Sequence, residues 1–465
     1  MPHPVRRARL LALAATCLAT CLGASTAHAQ PDRAALVARL DSIAASALAG
    51  NRAVGLAAAV VRGGDTLLMK GYGRADVEWN VPMPTDAVFE IGSITKQFTA
   101  VAVLQLRDSG KLSLDDDVTK WLPDLDTRGH QVPLRRLLDH TSGIHDYTET
   151  REFAALVGNR AFPRDSAYAL IRRYPFDFAP GEAQQYSNSG FWLLALVVEK
   201  ASGMTYEDYV EKRLFAPLGM TRSMHCNSYE NVERRAHGYG MQAGRIWRAP
   251  MSFNVWFSGA GGLCSTAGDL VSWTRALHGG RVLSSKSYAE LLAPATLRNG
   301  MPLRYGMGIG VGKDGRGHES VYHGGIVAGF RSSAAWYPEA RLSVVVLTNT
   351  TGGVDPEDVH EALAAAVLPP PRATATAFAG DPARLVGRYA GRTSNGELTI
   401  EVTQGSQGLQ VSGNGSPARP LVWVEGSTFR FNNILLTFRL PPNGGPVTEL
   451  GFNPAKRLYF VLARR

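Results

Sequence analysis

Three short motifs carry the residue types needed for acyl transfer: Ser93-x-x-Lys96, Tyr186-x-Asn188 and His323-x-Gly325. They offer a nucleophile, groups to move its proton, and a glycine-flanked strand edge where a carbonyl can lie. None is persuasive alone. By composition, a chain of this length holds roughly one S-x-x-K match or fewer. Tyr229-x-Asn231 and His278-Gly279-Gly280 repeat the other two patterns. Context and order must therefore carry the argument.

Ser93 has the best context. The run Val88 to Gly92 is extended and ends in glycine, and Ser93 to Leu106 is apolar on nearly every face. Such a helix is buried rather than amphipathic, and Gly110 supplies its stop. Ser93 falls at the helix start, where unpaired N–H groups and the dipole favour developing negative charge. Residues i and i+3 share a face, so Lys96 projects beside the Ser93 hydroxyl. Apolar surroundings disfavour the ammonium, so the lysine pKa is expected to fall from about 10.4 towards neutrality and the amine to accept the serine proton. An isolated match reads more readily as a capping serine and a snorkelling lysine. The partner motifs reverse that balance.

Tyr186 and Asn188 follow a Pro/Gly turn and precede an apolar helix expected from Phe191 to Ala201. A loop feeding a buried helix holds a phenol and an amide rigidly. Tyr186 is expected to relay a proton. Asn188 is expected to donate to a substrate carbonyl and to help fix Lys96. Taken alone, Asn188 reads equally as a helix cap and Tyr186 as a packing residue. Tyr229 lies in a polar, charge-rich stretch without such support.

His323, Gly324, Gly325 and Ile326 precede a strand pair expected at Phe330–Tyr337 and Arg341–Thr348, joined at Pro338 to Ala340. The β-branched run Leu342 to Leu347 favours a sheet. Glycines let a substrate approach the backbone, so the N–H groups of Ser93 and Ile326 are expected to form an oxyanion hole. His323 would add a polar or positive group over it. His278 ends a helical run, Leu270 to Leu277, and reads as a helix C-terminus.

With these motifs in this order, the chain resembles the serine hydrolase family of class C β-lactamases, related D-alanyl-D-alanine carboxypeptidases, D-aminopeptidases and some carboxylesterases. Leu137 to Gly143, Leu214 to Met220 and Gly261 to Thr266 extend the similarity, which spans about Leu36 to Leu368. The resemblance implies Ser93 as the acylated nucleophile, Lys96 and Tyr186 in proton transfer, Asn188 in the substrate site, and no cofactor. His323 stands where many β-lactamases carry the lysine of K-T-G. That departure suits the family's peptidases and esterases better than its β-lactamases. The competing enzyme classes lack their signatures: no G-x-S-x-G occurs, and the histidines show no H-E-x-x-H spacing. The serious non-enzyme reading is a penicillin-binding sensor or scaffold with little turnover.

The elements that must position these residues read as α+β. Strands Val54–Arg62 and Asp65–Gly71 complete an antiparallel sheet with the later pair, helix Pro356–Val367 packs on it, and the middle of the chain supplies a helical half. Residues 1–29 read as a secretory signal: Arg6, Arg7 and Arg9, an apolar run, then Ala27-His28-Ala29. The expected location is secreted or periplasmic. The hydrolase domain is expected over 30–368, with a Pro/Ala/Thr-rich linker over 369–382. An all-β domain, barrel-like and resembling the lipocalin-like appendages of this family, is expected over 383–465. Cys226 and Cys264 remain after the signal and are expected to pair in an oxidising compartment. The formal charge of +9 falls to +6 without the three signal arginines, taking 49 basic residues to 46 against 40 acidic ones. No basic block stands out, so nucleic acid is not an expected partner. No run is long enough for a transmembrane helix. A small molecule or peptide is the expected partner, and the sequence does not set the oligomeric state.

Overall fold

The computed structural model describes residues 33–50, 52–156, 165–226, 230–250, 257–370, 377–393, 396–406, 408–432, 434–441, 443–455 and 458–465. The expected signal, Tyr229 and part of the expected linker lie outside the described residues. Seven antiparallel strands form the central sheet, in the spatial order Gly310–Lys313, Glu319–Val327, Phe330–Tyr337, Leu342–Thr348, Gly55–Arg62, Asp65–Asp76 and Val81–Pro82. The register sets Ala58 opposite both Val346 and Lys70, and Gly325 opposite Ser332.

Strand periodicity sorts the sheet's residues onto two cores. Leu56, Ala58, Val60, Val344 and Val346 pack with Leu36 and Leu40 of the helix Arg33–Ser46 and Leu363 of the helix Pro356–Val367. Ala57, Ala59, Val61, Val345 and Leu347 face the helical half, which includes Trp273 and Leu277 of the helix Ala267–His278. At the centre of that half lies the helix Thr95–Asp108, buried along most of its length. Phe98 stacks on Trp273 with ring centroids 4.0 Å apart. Each fully buried large apolar side chain contributes roughly 1.5–3 kcal/mol. Phe98, Val101, Val103 and Leu104 together outweigh the several kcal/mol that desolvating one cation costs. The core can therefore hold a buried lysine.

Among the described residues, the C-terminal segment forms nine antiparallel strands, from Gly387–Thr393 to Leu458–Arg464, in a nearly closed barrel-like sheet around Tyr389, Val402, Phe438 and Leu462. Its last strand also pairs with Gln184–Gln185, with Tyr459 opposite Gln184 and Leu458 opposite Gln185. Tyr459 packs on Leu297, Met301 and Leu303, and Glu425 lies 3.2 Å from Arg304 and 3.4 Å from Lys313. The barrel thus docks on the two residues immediately before Tyr186. Among the described residues no helix is long and apolar enough to cross a membrane.

Candidate active site

Ser93 occupies a 3-10 turn, Gly92–Ile94, that runs into the helix Thr95–Asp108. Ile94 and Thr95 are right-handed, so the expected i, i+3 proximity survives the tighter turn. Gly92 has φ +52°, and a Cβ there would lie 2.9 Å from the Ile326 nitrogen. Only glycine lets these two chains meet.

Lys96 is fully buried. Its Nζ lies 3.2 Å from Ser93 Oγ, 2.8 Å from Asn188 Oδ1 and 2.6 Å from the carbonyl oxygen of Ala260. The rings of Tyr186 and Phe191 flank it, with centroids 4.6 Å and 5.5 Å away. Two fixed acceptors match the two N–H bonds of a neutral amine, which leaves its lone pair for the serine hydroxyl. In the ammonium form the third hydrogen points at Ser93 instead. The same geometry serves both ends of a proton transfer.

Asn188 opens the helix Asn188–Ser202, three residues before the expected start. Its backbone N–H and its Nδ2 each donate to Asp146 Oδ2 at 3.0 Å, and Nδ2 also donates to Thr148 Oγ1 at 3.0 Å. Both amide hydrogens are thereby engaged within the protein. Of the two parts expected for Asn188, the geometry gives it the fixing of Lys96 and not donation to a substrate carbonyl. Asp146 is buried and caps the short turn Tyr147–Glu149 by accepting from Thr148.

The opposite wall is the strand Glu319–Val327. A Cβ on Gly325 would lie 2.9 Å from the Ser93 nitrogen and 2.5 Å from Ser332 Oγ, and closer still to the Ile91 carbonyl oxygen. Ser332 Oγ donates to that carbonyl at 2.7 Å. The strand edge is thus seated directly on the nucleophile turn, with the Ser93 and Ile326 nitrogens beside each other and the Ile326 side chain exposed. Gly325→Ala should force the two apart and lower kcat/KM by about 10²-fold, the loss expected for one misplaced oxyanion donor. Steady-state rates with unchanged circular dichroism would check this.

His323 is buried, at 1 % exposure. Its Nε2 lies 3.0 Å from Tyr305 Oη and its Nδ1 2.6 Å from the Gly324 carbonyl oxygen. The ring is buried with both nitrogens facing protein groups, so it adds no exposed charge over the site. Both nitrogens find partners inside the protein, and the glycines beside it let the backbone face the nucleophile instead. Tyr186 is half-buried, its ring 4.2 Å from that of His140 and 6.4 Å from that of His323.

Sequence reasoning missed the Ala260 carbonyl, Asp146, Thr148, Tyr305 and the role of His140. A main-chain acceptor leaves no residue-type signal. Asp146 and Tyr305 are common residue types that only the fold brings to the site. His140 lay in a stretch noted for its resemblance, without a role.

Cys226 and Cys264 form a disulfide, with Cα atoms 5.2 Å apart across 38 residues. Closing a loop of that length contributes about 4 kcal/mol in the chain-entropy account. The strand Leu263–Ser265 pairs with both Phe89–Glu90 and Met224–His225. The bridge therefore ties together the small sheet from which the Ser93 turn and the Ala260 loop emerge. Among the described residues, Asp76, Glu78 and His237 could share a metal ion. Arg248 already lies 3.1 Å from His237 Nε2 and 3.8 Å from Glu78, so a protein cation fills that corner.

The fold and this constellation are those of a serine hydrolase. Residues 40–368 match the Beta-lactamase family, and the chain belongs to it. Over 301 residues it is 30 % identical to penicillin-binding protein 4* of Bacillus subtilis (strain 168), a match covering 62 % of this chain and 66 % of that protein. Over 376 residues it is 28 % identical to a D-aminopeptidase of Gluconobacter oxydans (strain 621H), covering 80 % and 70 % of the two chains. It also resembles the crystal structure of D-amino acid amidase from Ochrobactrum anthropi SV3 complexed with D-phenylalanine. That likeness has a TM-score of 0.63 at 26 % identity and covers 72 % of this chain and 99 % of that one.

Proposed function

We propose that this chain is a secreted serine hydrolase that cleaves an amide or ester through an acyl-enzyme on Ser93. The observation that carries this reading is the 3.2 Å approach of a fully buried Lys96 to Ser93 Oγ, fixed by Asn188 and Ala260. In the reaction, Ser93 Oγ bonds to the substrate carbonyl carbon while its proton passes to Lys96 Nζ. The carbonyl oxygen, now negative, rests between the N–H groups of Ser93 and Ile326. The bond to the amine or alkoxide then breaks, and Lys96 returns its proton by way of Tyr186, over whose ring it lies, to that leaving group. Water then attacks the ester on Ser93, and the proton path runs in reverse to free the acid.

The relatives named as D-aminopeptidase and D-amino acid amidase support amides and peptides of D-amino acids as the substrate class. Buried His323 supports the same choice, because the strand Glu319–Val327 then turns no histidine cation towards a substrate carboxylate. Rates on D- and L-phenylalanine amide and on a peptide ending in D-alanine test this. Turnover of the D-amide above both others supports it, and preference for the free-carboxylate peptide contradicts it. Export rests on the arginines and apolar run of residues 1–29. Recovery of a periplasmic form beginning near Gln30 supports that part, and an uncleaved cytoplasmic form refutes it.

A further inference from the structure

Three buried rings join the two walls of the site. His140 has φ +62°, an uncommon conformation for a side-chain-bearing residue. Its carbonyl oxygen accepts from the Gln185 N–H at 3.1 Å, and its Nδ1 accepts from the Ser187 N–H at 3.2 Å. Both donors flank Tyr186. Its Nε2 lies 3.3 Å from Tyr305 Oη, which in turn lies 3.0 Å from His323 Nε2. His140, Tyr305 and His323 are each buried.

The partners fix the direction of every hydrogen. A carbonyl only accepts, so the contact with Gly324 places a hydrogen on His323 Nδ1. The neutral ring then has a bare Nε2, to which Tyr305 donates. Tyr305 oxygen accepts from His140 Nε2–H. His140 Nδ1 must be bare, because a backbone N–H points at it. These hydrogen bonds are all made when both histidines are neutral.

We propose that His140 and Tyr305 are positioning residues, a relay that holds His323 as its neutral Nδ1–H tautomer and locks the Tyr186 loop to the strand edge bearing Gly325 and Ile326. The proposal rests on the Ser93 reading for its catalytic consequence, but not for the relay itself. Protonation of His323 would turn Nε2 into a donor facing Tyr305, whose oxygen already accepts from His140. The Tyr305 hydrogen would then lose the His323 acceptor, which weakens the lock. Tyr305 and Tyr186 pack against His323, with His140 beyond Tyr305 and Lys96 across the Tyr186 ring. Asp139, beside His140, turns to Thr141 and Arg136, and burial pushes its carboxyl up to about 6.

Two measurements test this on the full chain. Long-range ¹H–¹⁵N spectra of the wild type, with histidines assigned by single substitution, should show His323 protonated on Nδ1 and bare on Nε2 at neutral pH. An imidazolium or an Nε2–H tautomer would overturn the relay. Tyr305→Phe keeps the ring and removes the link. It should lower kcat about tenfold with little change in KM, and shift the acid limb of the kcat profile to higher pH, since His323 loses the donor that favours its neutral form. Unchanged kcat and an unchanged profile would overturn the positioning role. Failure of the Ser93 reading would instead leave the spectra as expected while Ser93→Ala keeps its activity.

Discussion

Ser93→Ala is expected to abolish turnover of every substrate the wild type accepts, with kcat falling by about 10⁴- to 10⁶-fold. The side chain is half-buried and its removal strips one oxygen from a turn held by backbone contacts, so the fold should be untouched. The seat of the strand on Gly92 and the buried Lys96 both remain. Substrate should therefore still bind, with KM or an inhibition constant close to the wild-type value. Rate loss with retained binding separates a nucleophile from a structural serine. A variant that keeps a tenth of the activity would mean that another group attacks the carbonyl.

Lys96→Met should be nearly as damaging, lowering kcat by about 10²- to 10⁴-fold, the usual range for a positioned acid or base. Methionine fills similar volume without a charge, so the core around Phe98 and Phe191 should keep its packing. The cost lies elsewhere. Asn188 Oδ1 and the Ala260 carbonyl lose their shared donor, at about 1–3 kcal/mol for each acceptor left unpaired. Relief from desolvating the amine offsets that loss, so the melting temperature should change little alongside the lost rate. Acylation by an activated ester should slow more than binding, as single-turnover kinetics would show. Wild-type acylation in Lys96→Met would assign the proton to another acceptor.

How far the sequence foretold the site depends on the kind of signal each residue leaves. Ser93 and Lys96 were legible because a lysine three residues after a serine, on a helix apolar all round, must be buried beside it. Strand Phe330–Tyr337 and helix Pro356–Val367 have the expected limits, since Gly329 and Pro338 bound the first and Asp355 caps the second. The strand after Gly63-Gly64 runs on to Asp76, past Gly71 and Gly73, because it gains a further partner in Val81–Pro82. Strands Gly387–Thr393 and Glu449–Ala455 leave little signal in the sequence. The first carries Gly and Arg in place of apolar alternation, and the second contains Pro454; pairing within the barrel-like sheet overrides both.

His323 shows the limit most clearly. Its motif placed it at the site, yet nothing local says which way its ring turns. That is decided by Tyr305 and His140, both distant in the chain and brought to the ring only by folding. The family resemblance located the position, and only packing revealed that the ring is part of the wall.

The most direct test of the account is intact mass, with peptide mapping, after brief exposure of wild type and Ser93→Ala to an activated ester and to a penicillin, quenched in acid. The account predicts an acyl adduct with at least the ester, carried by the peptide containing Ser93 and absent from the variant. An adduct that persists in Ser93→Ala, or that maps to another residue during turnover, would contradict it.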